Sequence, residues 1–213
     1  MRAVGSGLRR MAVLAQAAVI VGAVAIASSG TVEAQAFGPS NPFYAPSTLP
    51  FHAPPFDKIK DSDYQPAIEA GIAQQRQEID KIADNPTAPT FENTIVAMEK
   101  AGALLNRVSM VLYGITQANT DPTLVQVQAA VTPELSAAQD AISLNTKLFA
   151  RIETLYNKRS SLHLDAESLR LLEVDYQAFV KAGAKLSEAD KSKLKKLNEE
   201  EAVLSNAFNT KLL

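Results

Sequence analysis

From Asp63 onward, apolar residues return every three or four positions, the period of helices that each bury one face. The first stripe, between Asp63 and Asp84, is Ile68, Ile72, Ile79 and Ile82, with Pro66 tolerated in the first turn. Asn85 to Pro89 breaks the pattern. Thr90 then reads as the cap of one long helix that turns Phe91, Ile95, Met98, Leu105, Val108, Leu112 and Ile115 inward. Asp121-Pro122 sets a capping residue before a proline and starts a third helix, with Leu124, Val127, Val131, Leu135, Ala138 and Ile142 on its stripe. Pro133 inside it is expected to kink or split it. A fourth helix, from about Thr146 to Lys158, is expected to bury Leu148, Phe149, Ile152, Leu155 and Tyr156. Asp165 caps a fifth, with Leu169, Leu172, Tyr176, Phe179 and Val180 inward and Gly183 suited to its end. Ser187 caps a sixth, with Glu188 and Asp190 in the first turn, where the helix dipole favours acids. Its stripe is Leu194, Leu197, Leu204, Phe208 and Leu212. No segment carries a strand pattern or a Gly-rich phosphate loop, and no repeat of fixed period is present. The predicted fold is an all-α multi-helix bundle over residues 61–213.

Two segments precede the helices. Residues 37–60 are rich in proline (Pro39, Pro42, Pro46, Pro50, Pro54, Pro55) with Phe43, Tyr44, Leu49, Phe51 and Phe56 among them. Proline disfavours helix in itself and in the residue before it, so an extended arm is expected, one that lies on a body through its aromatics. Residues 1–36 read as a signal peptide. Arg2, Arg9 and Arg10 precede an apolar stretch from Ala12 to Ala27, and small residues follow that fit cleavage after Ala36 or, second, Ala34. The stretch is shorter than the roughly 20 residues that span a bilayer, which argues against a retained anchor. Arg9-Arg10 matches twin-arginine export poorly. The expected location is periplasmic or secreted.

Composition narrows the chemistry. The chain has 213 residues, 46% of them hydrophobic, enough for a substantial core. It has no Cys, which removes disulfides, thiol nucleophiles and thiolate metal sites. The net charge of -2 and the lack of a basic patch give no reason to expect nucleic acid. Loss of residues 1–36 would make the remainder more acidic. Of the two histidines, His52 lies in the proline arm and His163 just before a helix cap. Isolated histidines on separate elements do not make a zinc site, which wants three or four converging ligands. Asp61 and Asp63 read as first-turn residues, and Glu199-Glu200-Glu201 as a solvated helix face. No serine occupies a Gly-x-Ser-x-Gly elbow.

Several segments carry a family resemblance. They begin with Asn41-Pro42-Phe43, Leu49-Pro50-Phe51, Pro55-Phe56-Asp57 and Tyr64-Gln65-Pro66-Ala67. Asn85-Pro86, Pro89-Thr90-Phe91-Glu92-Asn93-Thr94-Ile95, Glu99 and Gly102 follow. Gly183-Ala184-Lys185-Leu186, Asp190-Lys191, Leu194-Lys195, Leu197-Asn198, Leu204 and Phe208 complete the set. In this order, over nearly all of residues 41–213, the chain resembles the N-terminal part of the bacterial peptidyl-dipeptidases in the thimet oligopeptidase family of zinc metallopeptidases. The run from Pro89 to Ile95 is the most specific piece.

The resemblance implies a two-lobed helical enzyme with a deep channel, in which these helices belong to the N-terminal lobe and restrict entry to short peptides. It implies release of dipeptides from the C-terminus, with zinc as cofactor. The family's zinc is held by a His-Glu-x-x-His helix and a further Glu. The two His lie one turn apart to bind the metal, and the motif's Glu activates its water. No residue of this chain matches that motif, so no catalytic or metal ligand is assigned to it, and its substrate-binding residues are not identified. The implied partners are short peptides and a C-terminal catalytic lobe, with no nucleic acid and no membrane after signal cleavage. The stripe that runs to Leu212 without a stop signal is expected to mark a truncation. An enzyme of the same family that cuts peptides internally would fit these residues too. A non-catalytic exported helical binding or scaffold module, acting by contact alone, is the alternative of a different class.

Overall fold

A computed structural model describes residues 36–119 and 121–212, with the side chain of Leu212 outside that description. The signal-peptide reading therefore falls outside the described residues. The helices are α1 (Asp61–Ala83), α2 (Ala97–Lys100), α3 (Ala103–Ala118), α4 (Pro122–Ser143), α5 (Thr146–Asn157), α6 (Ala166–Lys181) and α7 (Glu188–Leu212). Among the described residues there is no strand, as the period-3.6 patterning requires.

The helix starts follow the local signals. Asp121 accepts from the amides of Thr123 (2.7 Å) and Leu124 (3.0 Å). Asp165 accepts from that of Ser168 (2.8 Å), and Ser187 from that of Asp190 (3.2 Å). Each satisfies a donor that the first helical turn leaves free. Asn145 does the same for Leu148 (3.0 Å) without having been expected to.

Two cores result, and α1 serves both. Its first half, with Tyr64, Ala67 and Ile68, packs with Leu104, Val108 and Leu112 of α3, Leu124 and Val131 of α4, and Phe43 of the arm. Its last turns, with Ile79 and Ile82, join Ile95, Leu148, Ile152 and Leu155, and Leu172 and Phe179 of α6. α4 in turn packs against α7. Tyr156 and Tyr176 stack with centroids 3.7 Å apart, and the Arg159 guanidinium lies 4.2 Å over Tyr156, which ties α5 to α6.

Three expectations need correction. The long helix from Thr90 to Ile115 is broken. A wide π turn at Phe91–Val96 runs into the short α2, and the chain then reverses at Gly102 (φ 77) before α3. The Gly102 amide donates to Glu78 Oε2 at 2.7 Å, so docking on α1 fixes the break. A Cβ at Gly102 would lie 2.3 Å from the Gln75 amide nitrogen, and the positive φ already selects glycine. Pro133 does not split α4, which continues through it. One carbonyl of α4 loses its amide partner there, and packing against both α1 and α7 keeps the helix in one piece. Nor is the arm simply extended. It turns repeatedly, ending in a 3-10 turn at Pro50–His52 where Phe51 and His52 both have positive φ. It is anchored at Phe43, whose carbonyl accepts from Arg107 (2.8 Å), and at Asn41, whose side-chain amide donates to the Asp63 carbonyl (2.9 Å). Phe37 packs partly buried against the first core, whereas Tyr44, Phe51 and Phe56 stay exposed, Phe51 completely so.

Asp175 on α6 is a point of electrostatic strain. Burial, and next the charge of Glu99, push its carboxyl up to about 6, and its Oδ2 is buried without a hydrogen-bond partner. A carboxyl raised by folding contributes no penalty below the unfolded pKa near 4, a growing one as pH rises from there to about 6, and a constant one above. Asp175→Asn should therefore stabilise the chain by about 1 kcal/mol at pH 8, the full shift being reduced by solvent at its open edge, and by almost nothing at pH 4. Urea midpoints at the two pH values check this.

Candidate functional site

The most specific sequence motif proves to be a packed clamp. Thr90 accepts from the Asn93 amide (3.1 Å), and Asn93 Oδ1 accepts in return from the Thr90 amide (2.8 Å). The Asn93 side-chain amide donates to Thr87 Oγ1 and the Ala88 carbonyl. Thr94 and Ile95 are fully buried beneath it. From α5, Arg151 reaches into this loop. Its Nη1 donates to the carbonyls of Asn85 (2.9 Å) and Thr87 (3.0 Å), and its Nη2 to Asn93 Oδ1 (2.9 Å). The contacts of Thr90 and Asn93 hold the loop in shape, while Glu92 of the same motif is exposed.

A groove of about 550 Å³ lies between α1 and α4. Ile72, Ile79, Ala137, Ala138, Ala141 and Ile142 supply its apolar lining; Glu69, Glu134, Arg76, Asp80 and Lys195 supply charge. The small alanines leave it open. Burial, and then Glu69, raise the Glu134 carboxyl. Arg76 and Asp80 pair one turn apart. No histidine, serine or threonine is among its lining residues, and the groove combines an apolar floor with charged edges.

His52 lies exposed in the arm, its Nδ1 2.8 Å from the Ser47 carbonyl. His163 sits exposed in the bend before α6 with φ 51. Asp63 accepts from the Lys60 amide (2.8 Å) in the first turn of α1. Glu199, Glu200 and Glu201 are all exposed on α7. Among the described residues, no three His, Asp or Glu side chains gather to hold a metal ion. The zinc that the resemblance implies thus finds no donor set among them.

Sequence reasoning missed the buried polar residues. Besides Arg151 they include Lys191, whose ammonium donates to Thr146 Oγ1 (2.7 Å) and Glu188 Oε1 (3.0 Å). They also include Asp140, which accepts from the Asn198 side-chain amide (2.7 Å). Arg151 lies amid Leu148, Phe149 and Ile152, and a charge set within an apolar stripe is the one signal that could have found it. The contacts of Asn198 with Asp140 and of Lys191 with Thr146 fix how α7 lies on α4 and the start of α5. They turn Lys191 and Asn198 toward the protein and leave Leu197, Leu204 and Phe208 at 61%, 61% and 63% exposure.

No family model matches the chain. Among curated proteins it is 48% identical over 174 residues to the dipeptidyl carboxypeptidase of Salmonella typhimurium, covering 82% of this chain and 26% of that protein. It is 49% identical over 173 residues to the dipeptidyl carboxypeptidase of Escherichia coli, covering 81% of this chain and 25% of the relative. The chain thus spans about a quarter of the length of the relatives it matches. Identity near one residue in two, across four fifths of the chain, makes this chain similar to a segment of two dipeptidyl carboxypeptidases.

Proposed function

We propose that this chain is the N-terminal part of an exported zinc metallopeptidase that releases dipeptides from the C-terminus of short peptides. The observation that carries the reading is the high identity to two dipeptidyl carboxypeptidases over about a quarter of their length. The chemistry resides in a further part of the polypeptide, where a His-Glu-x-x-His helix holds the metal. The helices α1 to α7 then serve as part of the wall of a channel between two lobes. A wall that admits only thin, unfolded chains limits substrate size by shape alone, without a residue that touches the scissile bond. Residues 1–36 direct export and are removed, and the protein acts in the periplasm or outside the cell.

A chimaera tests the activity. The Escherichia coli relative is made with residues 41–213 of this chain in place of its corresponding segment. It should release C-terminal dipeptides from N-blocked tetrapeptides, lose that activity with 1,10-phenanthroline and regain it with zinc, as mass spectrometry of the products would show. It should leave folded proteins uncut. A folded chimaera that releases no dipeptide overturns the reading and favours a module acting by contact.

A further inference from the structure

α7 is amphipathic, but its apolar side is not the side it buries. Counting 100° per residue, Leu197, Leu204 and Phe208 share one line along the helix, roughly 100° round from the line of Lys191, Asn198 and Ala202. The second line faces α4, where Asn198 meets Asp140, and the start of α5, where Lys191 meets Thr146. The first meets solvent, with each of its three large side chains more than 60% exposed. An isolated exposed leucine needs no explanation, but a row of them over three turns marks a contact surface.

We propose that this row on α7 is the seam against which the rest of the longer peptidase polypeptide packs. The inference rests on the peptidase reading above, because the relatives supply the occupant. They are about four times as long as the segment they share with this chain, so some three quarters of such a protein has no counterpart in it. That polypeptide must meet these helices somewhere. Most other large apolar side chains of the helices are in one of the two cores or packed against them, Met110, Tyr113 and Val174 being exposed exceptions, whereas α7 contributes to neither core. Its polar contacts to α4 hold the row in place before any partner arrives. The occupant is accordingly a largely apolar face of the catalytic part, complementary to leucine and phenylalanine.

The chain has no cysteine, so single cysteines report cleanly on this surface. Leu197→Cys, Leu204→Cys and Phe208→Cys are compared with Glu199→Cys, which lies on the opposite side of the same helix. Each is labelled with a maleimide both in this chain alone and in the chimaera described above, and followed by peptide mass spectrometry. In the chain alone all four should react at similar rates. In the chimaera the first three should slow at least tenfold, with Glu199→Cys within about twofold of its free rate. Hydrogen exchange along α7 in the unsubstituted chimaera provides the same comparison if a cysteine disturbs folding. Unchanged labelling and exchange would overturn the seam. So would protection in the chain alone that rises with concentration, which would make the occupant a second copy. A chimaera that releases dipeptides while all cysteines stay reactive keeps the peptidase reading and loses the seam. One that protects the three cysteines but releases nothing does the reverse.

Discussion

Replacing Arg151 by Met should destabilise the chain by about 3–5 kcal/mol, measured as a drop in the urea unfolding free energy. Methionine preserves most of the side-chain stem, so the change isolates the guanidinium. That group is buried and donates to Asn85, Thr87 and Asn93. Its loss leaves acceptors facing apolar side chains, and an unpaired buried polar group costs about 1–3 kcal/mol. The loop before Phe91 would lose its hold on α5, and Ile95, which it covers, would follow. Arg151→Lys should recover only part of the loss, because an ammonium cannot direct two nitrogens at both sides of the loop. Hydrogen exchange should rise first at residues 85–95.

Gly71→Ala should cost about 1–3 kcal/mol and Gly71→Val more, read from thermal or urea unfolding. Alanine normally gains up to about 1 kcal/mol over glycine inside a helix, so the expected sign is the reverse of the propensity rule. The reason is the crossing of α1 and α3. A Cβ at Gly71 would lie 2.8 Å from the Leu105 Cα and 2.9 Å from its amide nitrogen. Backbone cannot swing aside as a side-chain tip can, so the two helices must separate, and the core that contains Ile68, Leu105 and Val108 opens with them. Gly114 of α3 has nothing within 4 Å of a built Cβ, so Gly114→Ala should stabilise and measures the propensity gain on its own.

What could be read in advance and what could not divides by distance along the chain. Thr90, Asp121, Asp165 and Ser187 were legible as caps because each bonds an amide two or three residues away. The burial of Ile68, Ile79, Leu112, Ile152 and Leu172 followed from period alone. The break at Gly102 was not legible, because it depends on Glu78, which is 24 residues earlier. Arg151 was hidden for the same reason, with partners 58 to 66 residues away. The candidate site divides in the same way. The resemblance to dipeptidyl carboxypeptidases was legible from ordered motifs, among them Pro89–Ile95. That this motif serves as a clamp could be seen only once α5 lay beside it.

α7 shows the division within one helix. Its start at Ser187, its acidic first turn and its row of leucines were all properties of the sequence by itself, since each depends on neighbours within a turn or two. Which side of the helix would face the protein was not. An apolar face left exposed along Leu194 to Leu212 is what a truncated lobe implies, but the residues that hold the helix to the protein were hidden. The tertiary structure turned in Lys191 and Asn198, because α4 and the start of α5 present Asp140 and Thr146 there. A buried carboxylate left without a donor costs more than an exposed leucine, so the pairing of polar groups set the rotation and left the apolar row facing outward.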